Sequence, residues 1–212
     1  MSELQITQQV EHLANLQVTQ QVEHLANLQV TQQVEQFAKL NISSIPEFSL
    51  NGKKLLGRVV SVYDGDTITV ALNIFGAFYK FSVRLAGIDT CEIKSKDDVL
   101  KKHALTARNR LISIICNTSI DDVNSKNLKS RKDICTLFEK NIIVVSLECH
   151  EFDKYGRLLA KVYPIGPAPG LVIGGDDISE TLVKEKLAYR YGGDTKLTEG
   201  ELRTMLIESS GC

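Results

Sequence analysis

Residues 59–72 carry the sequence VVSVYDGDTITVAL, in which two β-prone stretches flank a short acidic turn. The valine-rich first half favours a strand, and Asp64-Gly65 is a turn signal. Beyond the turn, apolar residues occupy every second position, as expected for a half-buried strand. The stretch therefore predicts a β-hairpin, with Asp66 just past its turn.

A third strand is predicted over residues 79–85, where apolar and polar side chains alternate again. This alternation would bury the apolar set that begins at Tyr79 and ends at Leu85. Arg84 would then lie on the opposite, wetter face of the strand.

The remaining elements complete a small barrel. Residues 98–116 have helical spacing of apolar side chains, and two more strands are predicted at 142–147 and 158–163. Five strands with a helix between the third and the fourth match an OB-type barrel, so the predicted fold class is α+β. Two pairs typical of capping boxes predict two further helices and about three in all: Asp177 with Glu180, and Thr198 with Glu201.

The first 40 residues form a tandem repeat. Copies of a 12-residue unit occupy residues 4–15, 16–27 and 28–39, and the middle copy is LQVTQQVEHLAN. Apolar residues three and four apart predict an N-terminal arm that is amphipathic and helical or partly disordered. Twelve residues advance roughly 120° past whole turns, so the apolar stripe drifts around the helix and a regular coiled coil is not expected.

Residues 41–51 include Ser43, Ser44 and Pro46, which break a helix and predict a linker. The barrel domain is then expected over residues 52–212. Within it, residues 117–140 are longer and more polar than a tight connection needs. We predict an exposed polar insertion there, with a short helix near residues 134–138.

Composition limits the classes of function. The chain has 212 residues and a formal net charge of -1, so any phosphate-binding site must be local. Five cysteines without paired CxxC spacing predict reduced thiols and neither a disulfide framework nor a zinc site. The first ten residues lack the features of a secretory signal, and no apolar run approaches the roughly 20 residues of a membrane span. An intracellular, cytoplasmic location is expected.

Acidic side chains recur in a second stretch, RLAGIDTCE at residues 84–92. A hard cation held by carboxylates can bind a phosphodiester oxygen and offset the charge that develops when water attacks. Asp66 and Asp89 suit that role if adjacent strands bring them together. Taken alone, the acidic turn is better explained as a plain hairpin turn, because Asp and Gly are ordinary turn residues.

Both stretches, together with DKYGR at residues 153–157, resemble the staphylococcal nuclease (thermonuclease) family in order and local spacing. The resemblance covers roughly residues 57–205. It implies three strands, a helix, two strands and two helices in that order. It also implies a calcium-dependent nuclease.

The resemblance implies a role for each of ten residues at one site. Those residues are Asp66, Asp89 and the carbonyl of Thr90 as Ca²⁺ ligands, Glu92 as general base, Arg84 and Arg157 on the phosphate, and Lys154, Tyr155, Tyr189 and Tyr191 as substrate contacts. Simpler interpretations remain open for several of them. Glu92 would otherwise be a solvated acid, Arg157 a surface ion pair with Asp153, and the tyrosines partly buried aromatics.

One position departs from the family pattern, since Cys91 stands where proline is common. The change places a thiol near the proposed metal, and calcium has little affinity for thiolate. We expect Cys91 to take no part in the chemistry.

The function that these residues predict is calcium-dependent hydrolysis of DNA or RNA phosphodiesters. The alternative is a non-catalytic nucleic-acid or protein-binding module on the same barrel, which the retained acids and arginines disfavour. A third possibility, compatible with the enzyme, is that residues 1–40 mediate self-association or recruit a protein partner.

Overall fold

The computed structural model describes residues 3–165 and 176–210. Two compact units make up the chain, Met1–Phe48 and Ser49–Cys212. No helix within the described ranges combines the length and apolar character needed to cross a lipid bilayer.

The first unit is a long helix, α1 (Glu3–Ala38), followed by a short 3-10 turn at Ile42–Ser44. The helix predicted for the repeats is therefore present. Every side chain from residue 11 to residue 38 is exposed, apolar ones included. Because the 12-residue period carries the apolar positions around the axis, α1 has no single apolar face along its length.

The second unit contains seven strands and five helices among its described residues. The strands are β1 (Lys54–Val62), β2 (Thr67–Ile74), β3 (Ala77–Leu85), β4 (Ile88–Asp89), β5 (Val144–Phe152), β6 (Leu158–Pro164) and β7 (Tyr189–Arg190). The helices are α2 (Asp98–Ile115), α3 (Ile120–Ser125), α4 (Arg131–Lys140), α5 (Ile178–Lys184) and α6 (Glu199–Ser210).

Five strands close a barrel in the order β1-β2-β3-β6-β5, which confirms the predicted α+β fold with an OB-type barrel. Neighbouring strands are antiparallel except for β3 and β6, which are parallel. The predicted hairpin is β1–β2, and Thr67 at the start of β2 lies opposite Arg84 on β3. The barrel interior is filled by fully buried aliphatic side chains from all five strands, such as Val70, Leu85 and Leu147.

Residues 117–140 differ from the exposed insertion that the sequence predicts. They form α3 and α4, and four apolar side chains of this segment are buried in the main core: Val123, Leu128, Ile134 and Phe138. The short helix predicted near residues 134–138 is present as α4, whereas α3 was not predicted, because its six residues are too few for a periodic signal. The described barrel unit thus has five helices: the three main helices that were predicted, the predicted short helix α4, and α3.

Strand β3 also departs from the prediction. Tyr79 is 54% exposed, because β6 pairs only with residues 83–85 and leaves the outer end of the β2–β3 hairpin uncovered. Arg84 is only 6% exposed although it lies on the face predicted to be wet. The two-residue strands β4 and β7 pair nearby and place Asp89 opposite Tyr189.

Candidate active site

The β1–β2 turn brings an acidic residue against the end of β4. Asp64 accepts a hydrogen bond from the backbone N–H of Asp66 at 3.2 Å, which shapes the turn. A Cβ on Gly65 would lie 2.8 Å from the Cβ of Ala107 and 2.9 Å from the Cγ2 of Thr90. The glycine therefore allows the turn to pack directly on Thr90 and on α2.

Arg84 lies between the two aspartates that the sequence singles out. Its Nη1 is 2.8 Å from Oδ2 of Asp66, and its Nη2 forms an ion pair with Oδ1 of Asp89. The same Nη2 donates to the carbonyl of Ile88 at 3.2 Å. Because one guanidinium contacts both carboxylates, Asp66 and Asp89 lie close together on either side of Arg84.

The two buried carboxylates differ in electrostatics. Burial, together with the charge of Asp64, raises the pKa of Asp66 well above its usual value, despite the opposing charge of Arg84. Burial also acts to raise the pKa of Asp89, but hydrogen bonds from Tyr189, Lys196 and Arg84 outweigh it and lower that pKa. At neutral pH Asp89 is therefore the more firmly ionised of the two.

Lys196 is a site residue that the sequence-based prediction missed. Its Nζ lies 2.9 Å from Oδ1 of Asp89 and 3.2 Å from Oε1 of Glu92, so one ammonium group joins the two acids. Burial acts to lower the pKa of Lys196, but its contacts with Asp89 raise it overall. The residue lies between β7 and α6, and no motif around it distinguishes it from a surface lysine.

An open cleft of about 380 Å³ adjoins these residues. Its lining is mostly polar and comes from β1, β2, β3, α4 and the connecting loops: Ser61, Tyr63, Asp64, Thr67, Thr69, Ser82, Arg84, Glu92, Arg131, Arg157 and Lys196. Glu92 is exposed at the cleft, with a side chain 63% accessible to solvent. Three of the residues predicted to act on the phosphodiester, Arg84, Glu92 and Arg157, thus share one cavity.

Arg157 combines the two interpretations that the sequence left open. It lines the cleft, and its Nε also forms an ion pair with Oδ2 of Asp153 at 2.7 Å. The backbone N–H of Arg157 donates to the other oxygen of Asp153 at 2.9 Å. This ion pair leaves the two terminal guanidinium nitrogens outside the contact with Asp153.

The predicted substrate contacts lie around the site in different settings. Tyr155 is 73% exposed, with Lys154 Nζ 5.2 Å and Arg157 Cζ 5.5 Å from its ring centre. The hydroxyl of Tyr189 donates to Oδ2 of Asp89, and the ring of Tyr191 lies 5.8 Å from the Cζ of Arg84. None of these four predicted substrate contacts is among the described residues that line the cleft itself.

The oxygens at the site have the chemistry that a hard cation prefers. Asp66, Asp89 and the Thr90 carbonyl supply only oxygen donors. However, every carboxylate oxygen of the two aspartates already accepts a hydrogen bond or forms an ion pair within the protein. The partners are Thr67, Arg84, Lys196 and Tyr189. Within the described residues, no group of three or more His, Cys, Asp or Glu side chains is arranged to hold a metal ion. A bound cation would have to replace some of these contacts.

Cys91 is buried from solvent. It is buried with Leu100, Ala104 and Leu202 in a small apolar cluster. Burial and the nearby acids raise the pKa of this thiol to about 11, so it is protonated at neutral pH. This environment agrees with the expected passive role.

An OB-type barrel with a cleft lined by arginines and acids defines the general class of this protein. The chain belongs to the staphylococcal nuclease homologue family, whose match covers residues 82–206. That range includes Arg84, Asp89, Glu92 and Arg157, and begins after the hairpin that carries Asp66.

The chain is also similar to an uncharacterised protein of Methanocaldococcus jannaschii. The two are 32% identical over 150 residues, which are 68% of this chain. The chain spans 62% of the length of that relative.

Proposed function

We propose that this protein is a calcium-dependent nuclease that hydrolyses phosphodiester bonds of DNA or RNA. The observation that carries the proposal is the convergence of Asp66 and Asp89 on Arg84, beside a cleft that Glu92 and Arg157 also line. Membership of the staphylococcal nuclease homologue family supports the same reaction class.

In this proposal Asp66, Asp89 and the backbone carbonyl of Thr90 hold Ca²⁺. When bound, the ion supplies a positive charge that polarises the phosphate and stabilises the charge that develops on it. The low pKa of Asp89 favours this role, because a ligand carboxylate must be ionised.

The two arginines bind the phosphate by charge-assisted hydrogen bonds. A guanidinium donates two parallel hydrogen bonds to phosphate oxygens and remains charged throughout the reaction. Arg157 is prepared for this geometry, since Asp153 holds it through Nε and leaves both terminal nitrogens for the substrate. Arg84 is held by two carboxylates, so its position is fixed before substrate arrives.

Glu92 accepts the proton of the attacking water, directly or by positioning that water. Its exposure at the cleft gives it access to solvent, and Lys196 holds it close to Asp89. A carboxylate beside the metal ligands can accept a proton without itself entering the coordination shell.

A second candidate function is a non-catalytic nucleic-acid or protein-binding module. The observation that favours it is the complete pairing of the carboxylate oxygens of Asp66 and Asp89 with protein donors. In that case Asp66, Arg84 and Asp89 would form a structural ion cluster, and the cleft would bind without cutting.

Cleavage of single-stranded DNA by the purified chain, with added Ca²⁺ or with a chelator, separates the two functions. Glu92→Ala should abolish cutting, whereas the matched control Glu139→Ala removes an exposed acid on α4 and should not. Calcium-dependent cutting that is lost only in Glu92→Ala supports the nuclease. Binding of the strand without cutting by the unmodified chain would make the protein a binding module.

A further inference from the structure

The segment of α3 and α4 contributes one more cation to the cleft. Arg131 is the first residue of α4, and its side chain lines the same cavity as Arg84 and Arg157. The resemblance that supports the catalytic roles assigns nothing to this residue.

The backbone around Arg131 is held in place by local and long-range contacts. Ser130 caps α4, because its Oγ accepts from the N–H of Asp133 at 3.2 Å while Asp133 accepts from the N–H of Ser130 at 2.8 Å. Upstream, Nη2 of Arg108 on α2 donates to the carbonyl of Leu128 at 2.8 Å. With Ile134 and Phe138 buried in the core, these contacts fix the start of α4 beside the cleft.

Arg131 differs from the other cations of the cleft in its charge balance. Arg84 and Lys196 both contact acids of the proposed active site, and Arg157 pairs with Asp153. Among the residues that the structure describes, Arg131 is the cleft cation that no carboxylate pairs with. An unpaired guanidinium on a cavity wall retains its full attraction for an anion.

We propose that Arg131 binds a phosphate of the polynucleotide strand next to the scissile phosphate. The inference rests on the proposed function, in which Arg84 and Arg157 bind the scissile group. A contact to a neighbouring phosphate carries no sequence information, but it positions the strand and favours a chain over a single nucleotide. Arg131 therefore makes this cleft selective for polymeric substrates.

The experiment measures binding of a short single-stranded oligodeoxynucleotide and of a nucleoside 5′-monophosphate, which has no neighbouring phosphate, by fluorescence anisotropy over a series of KCl concentrations. The full chain with Glu92→Gln and Ca²⁺ serves as the parent, so that the strand stays intact. Removing one phosphate contact should reduce the slope of log affinity against log salt by about 0.7. Arg131→Gln should show this reduction for the strand and should lower the preference for the strand over the monophosphate.

Lys140→Gln is the matched control, because it removes one positive charge from the last residue of the same helix, about 13 Å away. Equal salt slopes for Arg131→Gln and the parent, or equal changes in both variants, would overturn the inference. If the parent binds neither ligand, the proposed function fails and the inference fails with it. If the parent binds both ligands but has the same salt slope as Arg131→Gln, the inference is wrong and the proposed function is not affected.

Discussion

Asp66 is a buried acid whose ionisation costs folding stability. Its raised pKa means that the folded chain binds the proton more tightly than the unfolded chain, whose pKa is near 3.8. Stability is therefore lost as the pH rises above 3.8 through the raised pKa, where folding must accommodate a charged carboxylate. We expect Asp66→Asn to raise the melting temperature at neutral pH, because the amide does not place a charge in the buried site.

The pH dependence of that gain distinguishes it from a general packing effect. The difference in melting temperature between Asp66→Asn and the unmodified chain should shrink as the pH falls through the raised pKa and should disappear below 3.8, where both folded and unfolded states hold the proton. Thermal melts followed by circular dichroism measure it, with the exposed Asp98→Asn as control. A gain that stays constant down to acidic pH would contradict the assigned cause.

Arg84 should matter more for turnover than for folding. The Arg84→Lys variant keeps the positive charge. Its ammonium group, however, lacks the planar guanidinium that can contact two carboxylates and a phosphate at once. We expect the rate constant for cleavage to fall by about 10²-fold or more, the usual effect of losing a preorganised donor to a developing charge. Single-turnover kinetics beside a thermal melt test this, and a loss of activity no larger than the loss of folded protein would remove Arg84 from the chemistry.

Lys196 should compete with a divalent cation for the same acids. Its ammonium group contacts Asp89 and Glu92, so part of the free energy of cation binding is spent on displacing it. We expect Lys196→Met to bind Ca²⁺ several-fold more tightly, on the order of 1 kcal/mol. Titration calorimetry measures the affinity directly, and the exposed Lys101→Met on α2 is the control. Unchanged or weaker calcium binding in Lys196→Met would show that the lysine does not occupy the cation's place.

At the scale of single residues, motifs predicted three residues that the structure brings together, and missed two cations beside them. Local turn and strand signals fix the backbone positions of Asp66 and Arg84, whereas Asp89 lies on the two-residue strand β4, which pairing with β7 holds in place. Lys196 and Arg131 escaped prediction, since a lysine or arginine in a loop or at a helix start has the same sequence signal whether it faces a cleft or solvent. Only the folded chain shows which acids and cavities such residues meet.

At the scale of elements, the β1–β2 turn depends on close packing against α2. Gly65→Ala would place a Cβ 2.8 Å from the Cβ of Ala107. This contact is too close, so the turn or the backbone of α2 would have to move. Such overpacking typically costs about 1–3 kcal/mol, so we expect a lower midpoint of urea unfolding. The control Gly200→Ala has open space around its Cβ on α6 and should be neutral or slightly stabilising. Equal stability of Gly65→Ala and the unmodified chain would show that the turn can move away from Thr90.

Elements long enough to show a repeating pattern of apolar residues could be predicted from the sequence, and the shortest elements could not. The barrel strands and α2 carry alternating or helical patterns long enough to identify, and the capping box of Thr198 and Glu201 is present in full. The pair β4–β7 has two residues per strand, too few for any pattern, yet it sets Asp89 beside Tyr189. Its existence depends on tertiary packing, which a local signal cannot report.

At the scale of the whole molecule, the net charge of the chain is close to zero. A net charge of -1 gives no global attraction for nucleic acid, so affinity must come from the cations of the cleft. We expect binding of single-stranded DNA to weaken steeply with added salt, at about 0.7 in the log-log slope for each phosphate contacted. Anisotropy titrations at several KCl concentrations give the slope, and a slope near zero would mean that the cleft makes no phosphate contact.

The repeat unit raises a separate question at this scale. Helix α1 exposes the apolar side chains of its described residues, among them Leu13, Val22 and Phe37, and a helix without a packed face has little tertiary stabilisation of its own. Apolar positions spread around the axis are suited to several weak contacts rather than one fixed seam. We therefore propose that residues 1–40 mediate self-association or contact with a protein partner.

Deletion of residues 1–40 tests that proposal, because the barrel unit begins at Ser49 and carries the whole cleft. The rate of DNA cleavage per molecule should stay the same, while sedimentation velocity should show a concentration-dependent assembly for the full chain that the truncated chain lacks. A triple substitution of Leu13, Val22 and Phe37 to Gln should have the same effect if apolar contacts drive the association. If the full chain sediments as a monomer at every concentration, self-association is wrong, and contact with a protein partner is the remaining proposed role of residues 1–40.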